Sequence, residues 1–120
     1  MDVVSITCEG VAEELRSEYI PANGLILPPT EMDLAMGDTV FDLLTEAARA
    51  YRIPVDHSGG EMPYVRGIAY LYEYDFGDLS GWMFYINGEE ASVGCGEYRP
   101  KDGDVIEWRY TRDWGDDLTQ

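Results

Sequence analysis

Two cysteines, Cys8 and Cys95, and one histidine, His57, are the only side chains of their kinds among 120 residues. An imidazole that activates a thiolate makes a nucleophile, so a Cys–His pair is the simplest catalytic constellation available. Neither cysteine carries a recognisable nucleophile signature, and no strand–turn–helix elbow presents a serine. His57 reads as an exposed loop residue. Carboxylates gather at Asp75/Asp78, Asp102/Asp104 and Asp113/Asp116/Asp117 and invite calcium. None fits the calcium loop that needs Gly at its sixth and Glu at its twelfth position. Turn formation accounts for Asp102-Gly103, because this dipeptide favours tight-turn backbone angles without a metal. No metal site, required cofactor or catalytic residue is assigned, and the expectation is that the chain is not an enzyme.

The remaining chemistry is aromatic. Tyr70, Tyr72, Tyr74, Trp82, Tyr85, Tyr98 and Trp108 supply large amphipathic rings, and packing explains most of them. In a strand, Trp82, Phe84 and Ile86 share one face while Met83 and Tyr85 share the other, so only one set can be fully buried. An exposed set offers a surface to a flat apolar ligand, or to a partner's proline-rich or sugar surface.

Positioning these rings falls to a few well-marked elements. Trp82–Ile86 and Val105–Thr111 are β-rich runs, with turns at Asn87-Gly88 and at Lys101–Asp104 and a short middle segment, which together predict a C-terminal β-meander. Val3–Cys8 predicts a strand. Gly24–Leu27 predicts another, which Pro28-Pro29 bars from the centre of a regular ladder and which Glu31–Ala35 extends. Ala12–Arg16 reads as a helical turn. One long helix is expected over Thr39–Arg52, with Thr39 as cap, Asp42 completing a capping box, and Val40, Leu44, Ala47, Ala48 and Tyr51 on one apolar stripe. Phe41 and Leu43 widen that stripe. Val55–Pro63 reads as loop, and Gly67, within the apolar run Tyr64–Tyr74, marks a bulge or a close backbone approach. The order of elements predicts an α+β fold with one helix across a mixed sheet.

Length and composition predict a single domain over residues 1–120, with 45% hydrophobic and 12% aromatic residues. The net charge of −16, with Lys101 the only lysine, repels nucleic acid and anionic lipid. No apolar run approaches the roughly 18 residues of a membrane span, so no membrane insertion is expected. Met1-Asp2 leads straight into strand-like residues. The chain therefore reads as cytosolic as written, or as a mature segment carrying a starting Met.

Gly81–Gly88, Gly94 and the run Tyr98-Arg99-Pro100-Lys101-Asp102-Gly103-Asp104-Val105-Ile106-Glu107 resemble the transcobalamin-like C-terminal domain family. Gly37–Leu44 resembles the family's entry to its single helix, and Gly67-Ile68 through Leu79–Trp82 its lead into the Trp strand. The resemblance implies a β-grasp-like, usually extracytoplasmic domain of secreted or cell-surface proteins. It implies a non-enzymatic binding module for cobalamin or another corrinoid. It leaves open an adhesion or spacer module without a small ligand, and a neighbouring domain of a larger surface protein as partner. The implied ligand contacts are Tyr70, Tyr72, Trp82 and Tyr85. An exported context would let Cys8 and Cys95 form a disulfide. Further cysteines of relatives fall near Phe76 and Arg112, so the alternative is two free thiols. The spacing around His57 departs from the best-known corrinoid-ligating histidine motif, since Asp56 is adjacent to it.

Overall fold

Ile106, Trp108 and Tyr110 alternate with Glu107 and Arg109, and this period of two sends three large apolar groups to one side of the last strand. The computed structural model describes residues 2–8, 24–35, 37–58, 63–91 and 93–113. In chain order the elements are β1 (Asp2–Thr7), β2 (Leu25–Met32), α1 (Val40–Tyr51), β3 (Val55–His57), β4 (Val65–Ile68), β5 (Leu71–Tyr72), β6 (Gly81–Ile86), β7 (Glu89–Glu90) and β8 (Val105–Thr111). The expected helical turn at Ala12–Arg16 lies outside the described residues.

Five strands form one mixed sheet in the order β2-β1-β8-β6-β7, and β3-β4-β5 form a second, antiparallel sheet. β8 pairs parallel with β1, Val3 opposite Val105, and antiparallel with β6, Ile86 opposite Ile106. The α+β, β-grasp-like expectation with one helix and a mixed sheet is met. One detail of the C-terminal meander differs. The short middle strand β7 hydrogen-bonds to the outer side of β6, and the chain then returns to β6's other side as β8. Asn87-Gly88 makes the tight turn, with φ of 52° and 86°. The asparagine also bridges to the last strand, its Oδ1 accepting from the Val105 N–H at 2.8 Å.

The helix starts where its cap puts it. Thr39 Oγ1 accepts from the Asp42 N–H and Asp42 Oδ2 accepts from the Thr39 N–H, the reciprocal capping box. Two further N-terminal donors, the N–H groups of Val40 and Phe41, reach the carbonyls of Tyr98 and Cys95. The turn before Pro100 therefore docks on the helix end. Val40, Leu43, Leu44 and Ala47 are fully buried and join Val4, Ile6, Ile106 and Trp108 in one core cluster. Tyr51, placed on the stripe by its spacing, is instead 52% exposed. It lies in the last helical turn, just before Arg52 leaves the helix in a left-handed conformation.

Of two other segments, the first departs from expectation and the second meets it. Val55–His57, expected as loop, is strand β3, because β4 supplies the ladder that three residues cannot form alone. β2 runs to Met32 through both prolines as an edge strand, with register shifts in its pairing to β1. Gly67 is a close approach, since a Cβ there would stand 2.7 Å from the Tyr72 ring. Among the described residues no helix is long and apolar enough to cross a membrane.

Candidate binding groove beside Trp82

Trp82 is held from two sides. Its indole Nε1–H donates to the Leu71 carbonyl at 2.8 Å, and its ring meets Tyr110 edge-on at 5.3 Å. Tyr110 in turn donates its hydroxyl to the Tyr72 carbonyl at 2.8 Å, which ties β8 to the small sheet. Trp82 is thus 8% exposed, a wall rather than a projecting ring. Beside it opens a cavity of about 430 Å³ walled by Tyr64, Tyr74, Leu79 and Met83. A second hollow of about 220 Å³ continues from it, sharing Tyr64, Trp82 and Met83 and reaching Phe84, Val93 and Trp108.

Seven large apolar side chains stand exposed among the described residues, and Tyr64, Tyr74, Leu79 and Val93 all line this one groove. Glu73, Asp78 and Glu90 rim it, and no Lys or Arg is among its lining residues. Tyr64 donates its hydroxyl to Glu73. Burial, and then that carboxylate, push the phenol up to about 12, so Tyr64 keeps its proton at any physiological pH.

The four contacts implied by the resemblance are dispersed. Trp82 alone lines the groove. Tyr70 sits at the tip of the β4–β5 turn, 57% exposed and with a left-handed φ of 65°. Tyr72 lies half-buried over Gly67. Tyr85 is buried, with the Arg109 guanidinium 5.3 Å above its ring. Tyr64, Leu79, Met83 and Val93 had no local signal to single them out, since four separate chain segments bring them together.

Chemistry of other kinds has little to work with. Cys8 and Cys95 are both buried, and no disulfide joins them. Burial pushes Cys95 up to about 11, which keeps it a poor nucleophile. His57 Nδ1–H donates to the Ser58 carbonyl, and its ring meets Phe41 edge-on at 4.7 Å, both structural contacts. Phe76 and Arg112, near which relatives carry cysteines, touch here as a cation–π pair at 5.1 Å. Among the described residues no group of three or more His, Cys, Asp or Glu side chains could hold a metal ion.

Among the described residues, one capped helix across a five-stranded mixed sheet is the fold of a transcobalamin-like C-terminal domain. The chain belongs to the family described as a domain of unknown function, DUF4430, which matches residues 37–112. Its fold is similar to part of haptocorrin in complex with Cbi, with a TM-score of 0.64 at 18% identity, covering 93% of this chain and 25% of haptocorrin's. It is also similar to a candidate metal-binding protein from Ruminococcus gnavus ATCC 29149, with a TM-score of 0.58 at 14% identity, covering 92% of this chain and 94% of that one. No curated protein matches it.

Proposed function

We propose that the chain is a non-enzymatic, extracytoplasmic binding module that presents the Trp82 groove to one face of a corrinoid or a similar flat, apolar ligand. The supporting observation is the concentration of exposed apolar side chains. Tyr64, Tyr74 and Leu79 stand around Trp82 and Met83 on a fold shared with part of a protein solved in complex with Cbi. Aromatic walls bury a flat ligand at low cost in side-chain entropy. A cavity of about 430 Å³ takes an edge of such a ligand and cannot enclose it. Binding by this chain alone is therefore weak, with a dissociation constant in the micromolar range or above, about −8 kcal/mol at best. A neighbouring domain of a larger surface protein would close the other face. The chain needs no resident cofactor for this role.

Isothermal titration of the purified chain with cobalamin and cobinamide tests the reading. Tyr74→Ala is expected to weaken binding at least about tenfold, while Tyr70→Ala, outside the groove, leaves it unchanged. The reverse pattern would move the site to the β4–β5 turn. An absence of heat with any corrinoid at millimolar concentration would leave the surface adhesion or spacer module. The acidic rim of Glu73, Asp78 and Glu90 suits that second reading, because it attracts a basic surface of a protein partner.

A further inference from the structure

Antiparallel pairing turns both backbone groups of alternate residues to the same side of a strand. The Asn87 N–H donates to the Val105 carbonyl, so in β6 the groups of Met83 and Tyr85 turn toward β8 and those of Trp82, Phe84 and Ile86 turn outward. Ile86 pairs with Glu89, and the Phe84 carbonyl accepts from the Ala91 N–H at 3.1 Å. The next outward residue is Trp82. There the ladder stops, because β7 ends at Glu90. The outward N–H and C=O of Trp82 have no partner among the described residues. Trp82 lines both cavities.

We propose that this open edge takes an extended basic segment of a partner protein by strand addition, continuing the line of β7 along Gly81–Phe84. A strand running antiparallel to β6 would set one residue opposite Trp82 and exchange two backbone hydrogen bonds with it. That residue's side chain would lie on the face of Trp82 and Phe84, where the 220 Å³ hollow is lined by Val65, Cys95 and Trp108. Trp108 is 3% exposed, and its indole N–H lacks an acceptor among the described residues. Edge strands are commonly guarded by Lys, Pro or a bulge, and Gly81–Phe84 carries none of these.

Charge selects the occupant. Glu73, Asp78 and Glu90 surround the site, no Lys or Arg lines it, and the whole chain carries −16. Tyrosine faces at Tyr64 and Tyr74 add attraction for a cation. A segment alternating β-branched apolar residues with Lys or Arg fits both the pleat and the field. A second copy of this chain does not fit, since β7 would set Glu89 and Glu90 against the same carboxylates. The inference does not depend on corrinoid binding.

The test uses the full chain and three blocked hexapeptides: alternating valine and lysine, alternating valine and glutamate, and the valine–lysine sequence with its two central amides N-methylated. Binding is followed by NMR titration and by hydrogen exchange at the Trp82 amide. The valine–lysine peptide is expected to bind with a dissociation constant on the order of 100 µM and to slow exchange at Trp82 at least about tenfold. N-methylation and the glutamate sequence should each abolish binding. Asp78→Lys with Glu90→Lys, two exposed positions, should weaken it at least about tenfold with an unchanged circular dichroism spectrum. Equal binding of the N-methylated peptide would reduce the site to a charged surface and overturn strand addition. Failure of the valine–lysine peptide to bind at millimolar concentration would overturn it too. So would binding that appears only after deletion of residues 114–120, which would make the chain's own tail the occupant. A corrinoid titration reads none of these outcomes, so each proposal fails separately.

Discussion

The two sheets of this molecule are built to different standards. In the larger one, β1 and β8 lie at the centre, and Val4, Ile6 and Ile106 are fully buried beneath a helix whose cap, dipole and stripe all agree. In the smaller one, strands of three, four and two residues meet through a turn in which Ala69 and Tyr70 both hold left-handed angles, φ 55° and 65°, without glycine. The groove lies at the seam between them. β6 of the large sheet supplies Trp82 and Met83, and the segments flanking the small sheet supply Tyr64 and Tyr74. A wall on a six-residue strand thus faces one carried by strands of three, four and two residues.

Substitutions in the two regions sharpen that contrast. Leu44→Ala in the helix removes a fully buried side chain and is expected to cost about 2–5 kcal/mol in chemical denaturation. A loss below about 1 kcal/mol would place Leu44 outside the frame. Gly67→Ala in the small sheet drives a methyl group into the Tyr72 ring and should cost about 1–3 kcal/mol. If the small sheet yields without cost, the ring has room to shift and the loss disappears.

Asp104 tests the frame from its turn. Burial raises its carboxyl, but the Lys101 N–H, the Asn87 amide and the Tyr98 hydroxyl outweigh burial and hold it below its usual value. A carboxyl lowered by folding contributes stability that is complete above about pH 4 and is lost as pH falls through the folded value. Asp104→Asn should therefore cost about 1–2 kcal/mol at pH 7 and less at pH 3, read from urea midpoints at both. Asp2 works in the opposite direction. Burial raises its carboxyl, so its contribution is complete below about pH 4 and is lost on the alkaline side of its raised value. An unchanged Asp104→Asn deficit at pH 3 would show that the turn's geometry matters and its charge does not.

The smallest effect runs the other way. Tyr70→Gly relieves one left-handed non-glycine residue and is expected to stabilise by about 0.5–1 kcal/mol. Destabilisation would mean that the exposed Tyr70 ring makes contacts worth more than its strain.

What the sequence made legible follows the same division. Thr39 with Asp42, Asn87-Gly88 and Asp102-Gly103 are local devices, and each is recognisable within four residues of chain. Val55–His57 was not legible because three residues show no period, and only pairing with β4 makes them a strand. Tyr51 misled because a helical period continues through a last turn that the core no longer covers. The strand reasoning at β6 held in part. Trp82 and Phe84 are buried together, yet Tyr85 on the opposite face is buried as well, beneath Arg109. The groove itself was out of reach, because its walls come from residues near 64, 74, 82 and 93, which no window of sequence joins.

The parallel ladder between Val3–Thr7 and Val105–Arg109 has a consequence for how the chain is made. A ribosome or an export channel releases β1 about a hundred residues before the strand that completes its pairing. Until β8 emerges, β1 and β2 form at most a hairpin with one bare edge, and the helix has only half a surface to settle on. The fold must therefore close late and nearly all at once, so truncation before Val105 should yield a chain that aggregates rather than a smaller domain.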